Sequence, residues 1–189
     1  MAFVVASDLV AAARSGGAAQ IERLLQTVWP DAYRLACAVI GERHAAEDAA
    51  QEACIAAYRT LGSLRSDDAF RVWFYRIVVR EASAIKRRSA RAEAASLESP
   101  VGETVSHETS FDLWRALATL PTSLREVVVL RYFEDLSSRE IGAILRLPPG
   151  TVRFRLSRAM HRLRPLLGDV PVATSTHRHA TFEVRPHAV

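Results

Sequence analysis

Apolar residues recur at three- and four-residue steps along most of the chain, the period of helices buried along one face. Over residues 19–39 this spacing is kept by Ile21, Leu24, Leu25, Val28, Leu35, Ala36 and Val39; Pro30 predicts an internal start or bend, and Gly41 closes the segment. A second helix is predicted over 47–61, alanine-rich on one side and carrying Asp48, Gln51, Glu52 and Arg59 on the other. Residues 62–68 read as loop, with Ser66 to Asp68 suited to capping a third helix over 69–88 that holds Phe70, Trp73, Phe74, Ile77, Val78 and Ile85.

From 89 to 110 the period fails and Ser, Glu, Gly and Pro dominate, which predicts a linker. Four helices follow: 111–120, stopped by Pro121; 124–133; one opened by the capping-box pattern Ser137…Glu140 and ending near Leu147; and 151–166, after a Pro148-Pro149-Gly150 turn. No alternating strand pattern precedes the polar tail at 168–189, which is expected to be disordered. The expected fold is all-α, with two small helical domains (1–88 and 111–167) joined by a flexible linker (89–110).

Composition adds limits. The apolar fraction is 49% and the charged fraction 24%, as in soluble globular chains. The longest aliphatic run, Val127 to Leu130, falls far short of the roughly 20 residues that span a bilayer. The first ten residues lack the basic start and apolar core of a signal peptide, so a cytoplasmic location is expected. Cys37 and Cys54 make no disulfide framework. The net charge of +4 hides an asymmetry: residues 1–91 carry +3, residues 92–111 carry −4 with no base, and residues 112–189 carry +5. Two basic blocks around an acidic connector suggest two surfaces for a polyanion.

The last predicted helix is the most informative. Val152, Leu156, Ala159 and Leu163 make its buried face, while Arg153, Arg155, Arg158, Arg162 and Arg164 occupy the rest, with no acid between Pro148 and Leu167. A capped helix, a tight turn and then an arginine-rich helix form a helix-turn-helix that presents its second helix to the major groove. Arginine bonds guanine in a bidentate manner or clamps a phosphate. Arg153, Phe154, Ser157 and Arg158 are placed to reach base edges, and Arg162 and Arg164 lie nearer the backbone.

The stretch LATLPTSLREVVVLRYFEDLSSREIGAILRLPPGTVRFRLSRAMHRLRPLL resembles the C-terminal domain of bacterial sigma factors. The earlier stretch AEDAAQEACIAAYRTLGSLRSDDAFRVWFYRIVVREASAIKRR resembles their core-binding and promoter-melting helices. Two such domains and a short linker resemble the extracytoplasmic-function (ECF) group of the sigma-70 superfamily. The resemblance implies partners: core RNA polymerase (β′ clamp helices and β flap), promoter DNA and an anti-sigma factor. It implies that Asp48, Gln51, Glu52 and Arg59 dock on the β′ clamp helices. It gives opening of the −10 element to Arg65, Ser66, Asp67, Asp68, Arg76, Arg80 and Arg87, and the −35 element to Arg153, Phe154, Ser157, Arg158 and Arg162.

The chemistry of strand capture fits those positions. Flipped bases need polar edges beside aromatic walls, with cations nearby. Phe70, Trp73, Phe74 and Tyr75 supply rings, Trp73 being expected to share the core face with Phe70 and Ile77. Two departures from the family pattern stand out: Arg80 where Asn is frequent, and Gly142 where Ala is common, the latter expected to cost at most about 1 kcal/mol of helix stability. The acid-rich linker is expected to thread through the polymerase as a nucleic-acid mimic.

Rival readings fit less well. A conventional helix-turn-helix regulator that never joins polymerase has no use for the Gln51-Glu52 and Trp73…Arg76-Ile77 elements. An enzyme would need a nucleophile elbow, a phosphate-cradling loop or a zinc motif, and none is present. Cys37, His44 and Cys54 match no standard metal spacing, and His161, His177, His179 and His187 read as solvated. No catalytic residue, metal or cofactor is therefore expected.

Overall fold

The structure is a computed structural model that describes residues 5–95 and 111–167; the 168–189 tail and residues 96–110 of the proposed linker lie outside these residues. The regular elements within them are helices, with two short 3-10 turns and no β-strand. The N-terminal unit comprises α1 (Ser7–Ser15), α2 (Ala18–Ile40), α3 (Arg43–Thr60) and α4 (Phe70–Ala95). The C-terminal unit comprises α5 (Phe111–Thr119), α6 (Thr122–Tyr132), α7 (Ser138–Leu145) and α8 (Pro149–Leu167).

Several boundaries differ from the periodic pattern for identifiable reasons. Helix α1 is too short to display a period; it is held by burial of Val10 and Ala13 and by an Arg14–Asp67 ion pair of 2.6 Å. Helix α2 runs as one element through Pro30 and ends at Gly41, whose φ of 86° is the left-handed cap that glycine adopts without strain. Helix α3 starts four residues earlier than the apolar pattern, because the Glu42 carboxylate accepts the N–H groups of His44 (2.7 Å) and Ala45 (2.8 Å). Helix α4 continues seven residues past Arg88, so the irregular segment does not begin at Ser89. Ser89 to Ala92 are exposed there: alanine and arginine propensity extends the helix where no packing face is needed.

The C-terminal unit shows the expected reciprocal cap. Ser137 Oγ accepts the Glu140 N–H (3.2 Å), and the Glu140 carboxylate accepts the Ser137 N–H (2.8 Å). Helix α7 then stops at Arg146, which takes a left-handed conformation (φ 56°), and the Leu147 N–H turns back to Gly142 O at 2.9 Å. A Cβ on Gly142 would lie 2.6 Å from Leu147 O. Gly142 is thus a close-approach position for this turn rather than only a cost to the helix. The turn itself is Arg146 to Pro148, and Pro149 already opens α8, where its fixed φ and missing N–H are suited to a first helical position.

Five buried alanines of α3 (Ala46, Ala49, Ala50, Ala53, Ala57) let its backbone lie close to its neighbours, against Leu24, Val28, Leu35 and Val39 of α2 and Phe74 and Val78 of α4. This core does not stop at the domain boundary. It continues into Val127, Val129 and Leu130 of α6, Leu136, Ile141 and Ile144 around α7, and Val152 of α8. A smaller cluster of Ala116, Leu117, Leu120, Leu124, Val128, Ala159 and Leu163 binds α5 and α8 to the other side of α6. The two units are therefore docked, with α6 against α2 and α7 against α4.

Candidate nucleic-acid and partner interfaces

Asp48, Gln51, Glu52 and Arg59 all lie exposed on α3, opposite its alanine face. Asp48, Gln51 and Glu52 also border a shallow polar cleft with Ile85 and Arg88 of α4. The same stripe carries Ile55, 43% exposed, and Tyr58, 50% exposed. Tyr58 adjoins an apolar groove lined by Leu25 and Trp29 of α2 and by Cys54. Burial raises the Cys54 thiol to about 11, so it is an unreactive packing group. Among the described residues no three His, Cys, Asp or Glu side chains converge on one point, Cys37, His44 and Cys54 included.

The loop before α4 leaves Arg65, Ser66 and Asp68 exposed, while Asp67 is tied to Arg14. Of the four rings, Phe70, Phe74 and Tyr75 are fully buried and Trp73 is half-buried. Of the rings expected to serve strand capture, Phe74 and Tyr75 are instead core groups; Trp73 packs on the core 5.8 Å from the Phe70 ring, as expected, and remains part-exposed. The Phe70 and Phe74 rings stack at 5.6 Å, which spends them on packing rather than on bases. Along α4, Arg76, Arg80 and Arg87 fall on one face, with Arg80 held by the Glu81 carboxylate at 2.7 Å and Arg87 exposed. Arg76 is half-buried and donates from Nε to Ala143 O of α7 at 3.1 Å.

That last contact belongs to a polar seam between the two units. Ser83 Oγ donates to Glu126 at 2.6 Å, the Tyr75 hydroxyl donates to the buried Glu134 carboxylate, and Arg71 donates to the Glu134 carbonyl. Burial raises the pKa of both Glu126 and Glu134; Ser83, Arg155, Lys86 and Arg87 partly offset this for Glu126, as do Tyr75, Arg34 and Arg71 for Glu134. Buried Arg125 is the main pin. Its guanidinium donates to Leu117 O (2.8 Å), Ala118 O (2.6 Å) and Leu120 O (3.1 Å) at the end of α5, and to Val39 O (3.2 Å) at the end of α2. One planar fork thus satisfies the orphan carbonyls of two helices, where the helix dipoles also favour a cation. Lys86 Nζ shares Val39 O and Ile40 O, each at 3.3 Å, and burial together with neighbouring Arg125 lowers its pKa to about 8.

Helix α8 buries Val152, Ala159 and Leu163 and exposes Arg153, Phe154, Ser157, Arg158 and Arg162. The five residues the sequence places on its outer face are all there. Arg155 is not: it is half-buried and turned toward Glu126, whose charge it helps to stabilise.

Residues 21–92 match the family described as Sigma-70 region 2, and residues 110–163 match Sigma-70, region 4. The chain is 33% identical over 175 residues to the ECF RNA polymerase sigma factor SigM of Mycobacterium tuberculosis, covering 91% of this chain and 89% of that one. The chain belongs to the ECF sigma factors of the sigma-70 family. This sigma factor is also 35% identical over 156 residues to ECF sigma factor SigW of Bacillus subtilis, covering 73% of its own length and 83% of SigW. Its fold is shared with the sigma factor RpoE of Bartonella quintana, solved in complex with the anti-sigma factor NepR (TM-score 0.69, 24% identity, 77% of this chain and 95% of that one).

Sequence reasoning about this sigma factor missed two groups of residues. Ile55 and Tyr58 belong to the α3 stripe, but nothing in a helical pattern distinguishes an exposed apolar residue from a buried one. The contacts of Arg125, Glu126 and Glu134 with the other unit have no local signal, since those partners lie in α2 and α4, far off in sequence.

Proposed function

We propose that this sigma factor binds core RNA polymerase through the α3 stripe and contacts promoter DNA at two elements. Asp48, Gln51, Glu52, Ile55 and Arg59 dock on the β′ clamp helices, and the C-terminal unit engages the β flap. Arg153, Phe154, Ser157, Arg158 and Arg162 read the −35 element. Arg65, Ser66 and Asp68, with Arg76, Arg80 and Arg87 of α4, open the −10 element, and the exposed edge of Trp73 is the ring surface left for a displaced base. Polymerase supplies the chemistry of RNA synthesis, in the cytoplasm, and an anti-sigma factor restrains the free protein, as NepR is bound to the RpoE neighbour.

The observation that carries this reading is the α8 strip: an exposed, acid-free row of arginines on the second helix of a capped helix-turn-helix. Opening of the −10 element by α4 requires α7 to leave Arg76, so the docked arrangement is the resting one. Run-off transcription with core polymerase on a promoter library tests the proposal. Initiation at a defined start, lost without the sigma factor, is the expected result. No transcription from any template would overturn it.

A further inference from the structure

Phe154 is the most exposed large apolar side chain among the described residues, at 65%. It is not there because α8 lacks an inner face, since Val152, Ala159 and Leu163 fill one on the opposite side. Nor does it belong to an apolar patch that another protein would cover. Its neighbours three and four residues away along the helix are Gly150, Thr151, Ser157 and Arg158, with Arg153 beside it. It is a lone ring set in a cationic, hydrogen-bonding strip.

A phenyl ring has no donor or acceptor, so it reads no base edge by hydrogen bonding and gains nothing from a phosphate. On the base edges of the major groove the one apolar group is the C5 methyl of thymine. Resting on the assignment of α8 to the −35 element, we infer that Phe154 reads a thymine methyl there and sets a preference for thymine at one position. Arg153 and Arg158 flank the ring and hold the helix at a depth where it touches the base edge. Contact with the methyl removes from water a ring face that free protein leaves hydrated.

The test uses full-length sigma factor with core polymerase. Active −35 elements are first selected from a randomised library, and each selected thymine is then replaced singly by deoxyuridine, which removes the methyl and leaves every hydrogen-bonding group in place. Transcription is expected to fall about four-fold at one position, the effect of one buried methyl, and to be unchanged at the others. Phe154→Ser is expected to transcribe the thymine and deoxyuridine templates equally, and an unchanged thermal unfolding transition shows that the variant is folded. Three results would overturn the inference: no selected thymine, deoxyuridine tolerated at every thymine, or the same penalty in Phe154→Ser. Any of these with active wild-type protein leaves the proposed function standing, whereas silence from every template would remove both.

Discussion

Arg125 shows how much one side chain contributes in this fold. It is 6% exposed, and its donors are the hydrogen-bond partners of carbonyls closing both α5 and α2. Arg125→Ala strands those acceptors in a buried seam and is expected to cost about 3 kcal/mol, read as a lower urea midpoint. Arg125→Lys should recover little, because a single ammonium cannot span the fork. Arg146 lies at the opposite end of the scale. Its left-handed backbone is the conformation glycine adopts freely, and its side chain is exposed. Arg146→Gly is therefore expected to stabilise the C-terminal unit by about 0.5–1 kcal/mol, seen as a higher melting temperature; a lower one would mean that the guanidinium makes an interaction worth more than the strain.

Among the elements, α3 and α8 divide into a packing face and an exposed face, and apart from the inward-turned Arg155 both divisions are legible in sequence. Small residues at three- and four-step spacing mark the inner face of α3, so the charged positions between them must point outward. The apolar members of the outer stripe were not legible, since an isoleucine at helical spacing looks the same whether or not a partner covers it. Glu52→Lys and Ile55→Ala are each expected to weaken binding to core polymerase roughly tenfold while shifting stability by no more than about 0.5 kcal/mol. Fluorescence anisotropy of the labelled sigma factor, paired with thermal unfolding, separates the two effects; loss of fold in place of loss of binding would assign the stripe to the core. The rings of α4 are only partly legible for a related reason: four aromatics in six positions exceed what one face holds, and the packing of α4 on α2 and α3, with the Tyr75–Glu134 contact, decides that Phe74 and Tyr75 also turn inward.

For the whole molecule, the docked seam carries two carboxylates, Glu126 and Glu134, whose pKa values are raised by burial. A raised folded value means that docking favours the protonated acid. Docking is then strongest below the ordinary glutamate value of about 4.3 and weakens as pH rises through the shifted values. Energy transfer between dyes on α3 and α8 is expected to fall as pH rises over that window. Glu126→Gln with Glu134→Gln, which fix the neutral form, should flatten the dependence; an unchanged slope would place the titration elsewhere. Lys86 acts at the other end, its pKa lowered to about 8, so docked stability should rise again between about 8 and the unshifted lysine value of 10.5.

Sequence by itself determined the helices from α2 to α8, their inner faces, the capping box and the arginine strip of α8, because each follows from interactions within a few residues. Periodic burial, a cap three residues from its partner and a run without acids need no knowledge of the rest of the chain. Only tertiary structure decided that α7 covers Arg76, that Glu134 meets Tyr75, that Arg155 turns inward and that Arg125 closes a helix from the other unit. Those pairings join positions dozens of residues apart, and their geometry is set by how two continuous apolar faces pack, which no local pattern encodes.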